Sequence, residues 1–281
     1  MWYPVIGLIA VIGAAAILLL RRREDLHAVF KRELAAERNR SKGPQPIIAE
    51  SDLAALPAPV QRYIRRAGVV GKPRPAAILI TFDATLTDRD SGQVMRGPAR
   101  QYDAFDKPKR LFFMTTRMKG LPVKVLHDYD TAAASMRVRI ASLFDAVTIR
   151  SVDLARAETV TILNDMCLFA PSWLSDPRLT WTAIDAQRAA VRFVNGPFAV
   201  SAELEFDAAG DLAGFTSDDR PALQQDGSLQ AMRWSTPVRD VRDFGPCRAP
   251  GWGAAVYHYP SGDFTYGEFI VEQIEWLGWL E

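Results

Sequence analysis

Cysteine is scarce in this chain: Cys167 and Cys247 are the only two among 281 residues. Two cysteines are too few to define a redox compartment, and no Cys-x-x-Cys pair is present to hold zinc. A phosphate-cradling glycine pattern, a nucleophile elbow and a His-Glu-x-x-His helix are also missing, so the common sequence signatures of nucleotide, acyl-transfer and metalloprotease sites are absent. No metal or cofactor is expected. Charge of one sign is lacking too, with 34 Lys and Arg against 33 Asp and Glu and a net charge of +1. Phosphate binding needs a concentrated basic surface, so nucleic acid is not expected as a partner. With 48% hydrophobic and 24% charged residues, the composition is that of a folded protein with a substantial core.

The one local excess of positive charge follows the one long apolar run. Trp2 to Leu20 carries no charge, and Val5 to Leu20 is almost purely Ile, Leu, Val, Ala and Gly. About 20 helical residues cross a hydrocarbon core of roughly 30 Å, and Trp2 and Tyr3 suit its interface. A cleaved signal peptide fits poorly, because no basic segment precedes the run and no small-residue cleavage site follows it. Arg21, Arg22 and Arg23 come next, then Lys31, Arg32, Arg38, Arg40 and Lys42. Positive flanks stay cytoplasmic. The expectation is a single-pass inner (cell) membrane protein whose partner is the lipid bilayer through residues 2–20, with the N-terminus outside and the main domain in the cytoplasm. Residues 24–40 continue as a helix in which Leu26, Phe30 and Leu34 recur every four residues. Such a helix either lies on anionic lipid or forms a solvated stalk. Lys42-Gly-Pro-Gln-Pro46 ends it. The division is therefore 2–20 transmembrane helix, 21–46 basic juxtamembrane helix and linker, and 47–281 a single β-rich domain.

That domain opens with a short amphipathic helix: Pro57 and Pro59 in the first turn, Val60, Tyr63, Ile64 and Ala67 on one face, Gly68 past the end. Strand patterns follow. Ile78, Ile80, Phe82, Ala84 and Leu86 alternate with Thr81, Asp83 and Thr85, and turn chemistry at Asp90-Ser-Gly92 and Asp106-Lys-Pro108 links a meander. The clearest hairpin pairs Ala189, Val191 and Phe193 with Phe198, Val200, Ala202, Leu204 and Phe206 around Asn195-Gly-Pro197. Between the two β-rich halves, from about 154 to 174, a helical insert mixes polar Glu158, Thr159, Thr161, Asn164 and Asp165 with apolar residues, as expected of a lid or plug over a sheet.

Candidate site residues cluster around that insert. His127 shares a strand face with Val123, Val125 and Tyr129 and should point inward. Glu158 and Asp165, seven apart, face the same way on a helix. Asp218, Asp219 and Arg220 form a charged cluster at a strand end, which reads either as a site or as an ion-paired turn. Cys167 with His127 or His258 is a conceivable nucleophilic pair, although a cysteine beside Met166, Leu168 and Phe169 is ordinarily a small buried hydrophobe. The ligand-binding candidates are His127, Tyr129, Glu158, Asn164, Asp165, Asp218, Arg220 and Tyr266.

Leu56-Pro-Ala-Pro-Val-Gln-Arg-Tyr-Ile-Arg-Arg-Ala-Gly68, Met118-Lys-Gly-Leu-Pro122 with His127-Asp-Tyr129, Ala157-Glu-Thr-Val-Thr-Ile-Leu-Asn-Asp-Met-Cys-Leu-Phe-Ala-Pro171, Ser217-Asp-Asp-Arg220 and Gly262-Asp-Phe-Thr-Tyr-Gly267 resemble the hallmarks of a bacterial family of uncharacterised proteins. The resemblance runs from about residue 52 to the end and brings no catalytic residues with it. The expected fold is mainly β (α+β): a strongly curved antiparallel sheet or incomplete β-barrel of eleven or twelve strands, with a central helical insert and one N-terminal transmembrane helix. This order is similar to the half-barrel of bacterial lipoprotein carriers, which hold acyl chains between sheet and helices. Three functions stay open: binding of a hydrophobic or lipid-like small molecule, hydrolysis by an acid and His127 in the same cavity, or a structural module.

Overall fold

The computed structural model describes residues 24–278 except 42, 44, 132 and 224–227. The expected transmembrane span, residues 2–20, lies outside the described residues, and among the described residues no helix is long and apolar enough to cross a membrane. Among the described residues, three α-helices, α1 Leu26–Arg40, α2 Ala58–Ala67 and α3 Val152–Phe169, accompany two 3-10 turns at Glu50–Leu53 and Pro171–Ser175. The first run of strands is β1 Ala77–Thr87, β2 Val94–Ala104, β3 Lys109–Met118, β4 Leu121–Asp130, β5 Ala133–Ile140 and β6 Phe144–Arg150. The second is β7 Leu179–Ala183, β8 Arg188–Asn195, β9 Phe198–Phe206, β10 Leu212–Leu223, β11 Leu229–Asp243, β12 Arg248–Tyr259 and β13 Gly262–Leu277.

All thirteen described strands join one antiparallel sheet in the order β6-β5-β4-β3-β2-β1-β13-β12-β11-β10-β9-β8-β7. The first and last strands pair at its centre, from Ala77 opposite Leu277 to Leu86 opposite Gly267. Each half is a meander, and α3 joins β6 to β7, the two outer edges. A twisted sheet of more than about ten strands curls. Register shifts at Thr81/Phe82, Ser217/Arg220 and Ala255/Val256 add local bends. Curling brings the edges round, so α3 touches β4 and β5 on one side and β9 to β12 on the other. The result is the expected curled half-barrel around a central helix.

Two features depart from the sequence expectation. β6 was not anticipated, because its residues are mostly exposed at the sheet edge and show no buried alternation. The helix expected as a lipid-lying or solvated stalk is instead packed on the convex face of the sheet. Leu26, Val29, Phe30 and Leu34 are buried there with Leu79, Leu111, Phe113 and Leu126. Phe113 stacks on both His27 and Phe30, at 5.0 and 5.2 Å. Asp25 caps α1 by accepting from His27 N at 2.7 Å and pairs with Lys124, while Arg38 meets Glu275 at 2.6 Å. The physical reason is that β1, β3 and β4 are apolar on both faces, so the convex side also needs a cover.

α2 is built as its sequence dictates. Gly68 takes φ 75° just past its end, and Val60, Tyr63, Ile64 and Ala67 are buried. The Tyr63 hydroxyl donates to the carbonyl of Cys167 at 2.8 Å, tying α2 to α3.

Candidate functional site

α3 is capped by Ser151, whose hydroxyl oxygen accepts from Leu154 N at 3.0 Å. From Leu154 onward it is buried almost all round. One stripe, Leu154, Ala157, Glu158, Thr161, Asn164, Asp165 and Leu168, follows the three-and-four spacing of a helix face and looks onto a cavity of about 1110 Å³. The opposite wall comes from the concave face of the sheet: Phe82, Phe112, Val125, Trp234, Tyr257, Tyr266, Phe269 and Val271. The cavity reaches the surface at Asp88, Arg89 and Asp90 of the β1–β2 turn, where Arg89 lies over the ring of Tyr259 at 3.6 Å.

Arg110 occupies the polar end of this space. It is 9% exposed and uses all three nitrogens: Nη1 donates to Glu158 Oε2 at 2.9 Å, Nε to Asp165 Oδ2 at 3.1 Å and Nη2 to Gln101 Oε1 at 2.7 Å. Gln101 Nε2 in turn donates to Asp165 Oδ2 at 2.9 Å and Asp103 Oδ2 at 2.7 Å. His127 Nδ1 lies 3.5 Å from Glu158 Oε1, with its ring edge-on to Phe112. Burial pushes the Glu158 carboxyl up, yet the Arg110 guanidinium and the contact to His127 outweigh it and hold the group at about 2. For Asp165 burial wins, and the group rises to about 6 against the pull of Arg110. Asp103, wholly buried beside Asp165, is pushed well above the usual carboxylate range.

A second polar station lies one helical turn away. Arg220 Nε donates to Thr161 Oγ1 at 3.2 Å and Nη1 to the Tyr257 hydroxyl. Its guanidinium rests against the rings of Trp234, Tyr257 and Tyr266 at 4.8, 5.4 and 5.8 Å.

Of the residues singled out from sequence, His127, Glu158, Asn164, Asp165, Arg220 and Tyr266 all line this one cavity. Tyr129 and Asp218 do not. Tyr129 is fully buried between β4 and α3, and its hydroxyl is engaged by Thr159 Oγ1 at 2.8 Å and Asn195 Nδ2 at 2.7 Å. Asp218 projects outward, 72% exposed, and faces Arg233 at 3.4 Å. Asp219 serves the fold, linking Arg156 at 2.7 Å to the backbone of Ser201. Cys167 is buried off the cavity stripe with its thiol pushed up by burial, so it makes no nucleophilic pair with His127 or His258. His258 instead bridges Asp263 Oδ1 at 2.7 Å and Ser235 Oγ at 2.8 Å. That is the hydrogen-bond order of an acyl-transfer triad, but Ser235 and His258 alternate with cavity-lining neighbours and therefore face the convex side. Arg110, Gln101, Asp103, Trp234 and Thr236 were not foreseen.

The family model described as "Family of unknown function (DUF6544)" matches residues 46–269. No curated protein matches the sequence. Among solved structures, a LolA superfamily protein from Nitrosomonas europaea is similar at 10% identity and a TM-score of 0.41, over 84% of this chain and 96% of that one. A DUF1329 family protein from Desulfovibrio piger gives 9% identity and 0.40, over 81% and 95%. A domain from Vibrio parahaemolyticus, provisionally described as an outer membrane lipoprotein-sorting protein, gives 10% and 0.41, over 73% and 87%.

Proposed function

The chain belongs to the DUF6544 family of unknown function, and we propose that it is a membrane-anchored binding protein that holds a hydrophobic, lipid-like ligand between α3 and the concave face of the sheet. The observation that carries this reading is the cavity itself: about 1110 Å³, walled largely by aromatic and aliphatic side chains. Sites for drug-sized ligands run from roughly 300 to 1,000 Å³, so the space suits a long chain. The acids of the cavity support binding over hydrolysis. Glu158 and Asp165 are both committed to Arg110, so neither is a free base beside His127.

In this reading residues 2–20 anchor the protein in the inner membrane with the N-terminus outside and the domain in the cytoplasm. The sequence supports it through the uncharged run and the arginines after it. The position of residue 24 supports an anchor at the mouth of the cavity and leaves the sidedness to the charge pattern. The β1–β2, β3–β4 and β5–β6 turns share one end of the sheet, given the pairings Thr87 with Val94, Met118 with Leu121 and Ile140 with Phe144. Lys124 and Arg139 tie Asp25 and the Glu24 carbonyl to that same end. The cavity opens at that end, where Leu121 and Phe144 are 51% and 68% exposed, and this supports a mouth that faces the bilayer. Mass spectrometry of the detergent-solubilised full chain tests the ligand: a co-purifying lipid is expected, and its absence together with failure to bind any long-chain probe overturns the reading. A periplasm-only reporter fused at the C-terminus should stay inactive; activity reverses the orientation.

A further inference from the structure

Arg220 and Arg110 differ in one respect that bears on the ligand. Arg110 is surrounded by carboxylates, whereas among the described residues no carboxylate lies within ion-pair distance of Arg220. The Arg220 side chain is half-buried on the cavity wall, and Nη2 has no partner among the described residues. The three aromatic rings around it hold the guanidinium without neutralising it. Two further donors on the same side of the cavity have no acceptor: the indole Nε1 of Trp234, in a residue 2% exposed, and the hydroxyl of Thr236, in a residue 6% exposed. They stand two apart on β11 and both line the cavity. A cation and two donors withdrawn from water without acceptors are unfavourable unless a ligand supplies the acceptors.

We propose that Arg220, with Trp234 and Thr236, binds the anionic head group, a carboxylate or phosphate, of a long-chain amphiphile whose tail fills the apolar part of the cavity. This rests on the apolar-ligand reading above and names its chemical class. A guanidinium pairs with planar or tetrahedral oxyanions through parallel N–H donors, which a neutral ester or alcohol cannot match. Tyr257 touches both Arg220, at 5.4 Å, and Tyr259, whose ring is tilted against it at 6.1 Å, and Arg89 lies over Tyr259 at the rim, so the head lies toward the mouth and the tail toward Phe82, Phe112 and Phe269.

The test is fluorescence titration of the full detergent-solubilised chain with cis-parinaric acid and with its methyl ester. The acid should bind about tenfold tighter or better, and Arg220→Gln should abolish that preference, bringing acid and ester to equal affinity. Trp234→Phe, which keeps a ring and removes only the N–H, should remove part of it, and this variant decides the matter if Arg220→Gln does not fold. Displacement by oleate or by lysophosphatidate supports the site in either case, and the more potent of the two identifies carboxylate or phosphate. Equal binding of acid and ester by the unaltered protein overturns the anion site and leaves the apolar cavity standing. Binding of neither overturns both.

Discussion

Replacing Arg110 by Met removes the cation on which the polar end of the cavity depends while keeping most of its apolar stem. Three neighbours lose a bond at once, since Nη1, Nε and Nη2 serve Glu158, Asp165 and Gln101. The magnitude follows from Glu158. Its carboxyl moves from the ordinary 4.5 to about 2 despite burial, a net favourable effect of about 3 kcal/mol at about 1.4 kcal/mol per tenfold. Removing one partner of a buried ion pair costs about 3–5 kcal/mol in general, because the other charge is left uncompensated. The sign with pH is fixed too. A depressed carboxyl stabilises the fold above its unfolded value of about 4.5 and loses that contribution as pH falls toward 2. In the Met variant Glu158 is free to take up a proton. Urea unfolding followed by tryptophan fluorescence should therefore show a loss of about 3–5 kcal/mol at pH 7, shrinking to about 1–2 kcal/mol near pH 4. Adding Glu158→Gln to the Met variant should restore part of the stability at pH 7, since one of the two stranded carboxylates is gone while Asp165 remains. An equal loss at both pH values, or a loss below about 1 kcal/mol at pH 7, would refute the reasoning.

Other consequences can be checked in the same way. Asp165 has the opposite sign: its folded value of about 6 lies above the ordinary 3.8, so the folded state keeps a proton that the unfolded chain has released. Stability should fall by up to about 3 kcal/mol as pH rises from about 4 through 6, and Asp165→Asn should flatten that slope; an unchanged slope would assign it to another group. Phe30→Ala should cost about 3 kcal/mol because Phe30 is 1% exposed against Phe113, whereas a change within about 0.5 kcal/mol would mean that α1 is not part of the folded body in solution. A fluorophosphonate probe should leave Ser235 unlabelled, because the Asp263 partner of His258 is 68% exposed and the group faces the convex surface; stoichiometric labelling would place an acyl-transfer site there.

The sheet was legible where one face is wet. The β8–β9 hairpin alternates buried and exposed residues along almost its whole length, and its register could be read directly. On β3 the alternation disappears, because Leu111 and Phe113 pack under α1 while Phe112 and Met114 face the interior. That double burial is also why Arg110 escaped notice. It stands just after a proline and two lysines, where a basic residue looks like turn chemistry, and only its even-number parity with Phe112 and Met114 marks it as inward. Trp234 and Thr236 were hidden for another reason. A proline inside a strand, as at Pro237, suggests an edge or a bulge, whereas β11 lies between β10 and β12 in the sheet.

α3 shows how the missing Arg110 could have been inferred. A helix that connects the two edge strands of a curled sheet must cross the concave side, so it has no face left for bulk water. Glu158, Thr161, Asn164 and Asp165 recur at helical spacing on such a helix, and buried acids at those positions demand cations from the surrounding strands. The strands supply two. Arg110 meets Glu158 and Asp165 directly and leaves nothing over. Arg220 bonds only to the hydroxyls of Thr161 and Tyr257, with Glu158 and Asp165 acting on it at longer range, so among the described residues the cation without a direct ion pair lies on the sheet side of the cavity, beside two donors that also lack acceptors. That asymmetry between two arginines one helical turn apart distinguishes a cavity built to receive an anion from one merely left unfilled.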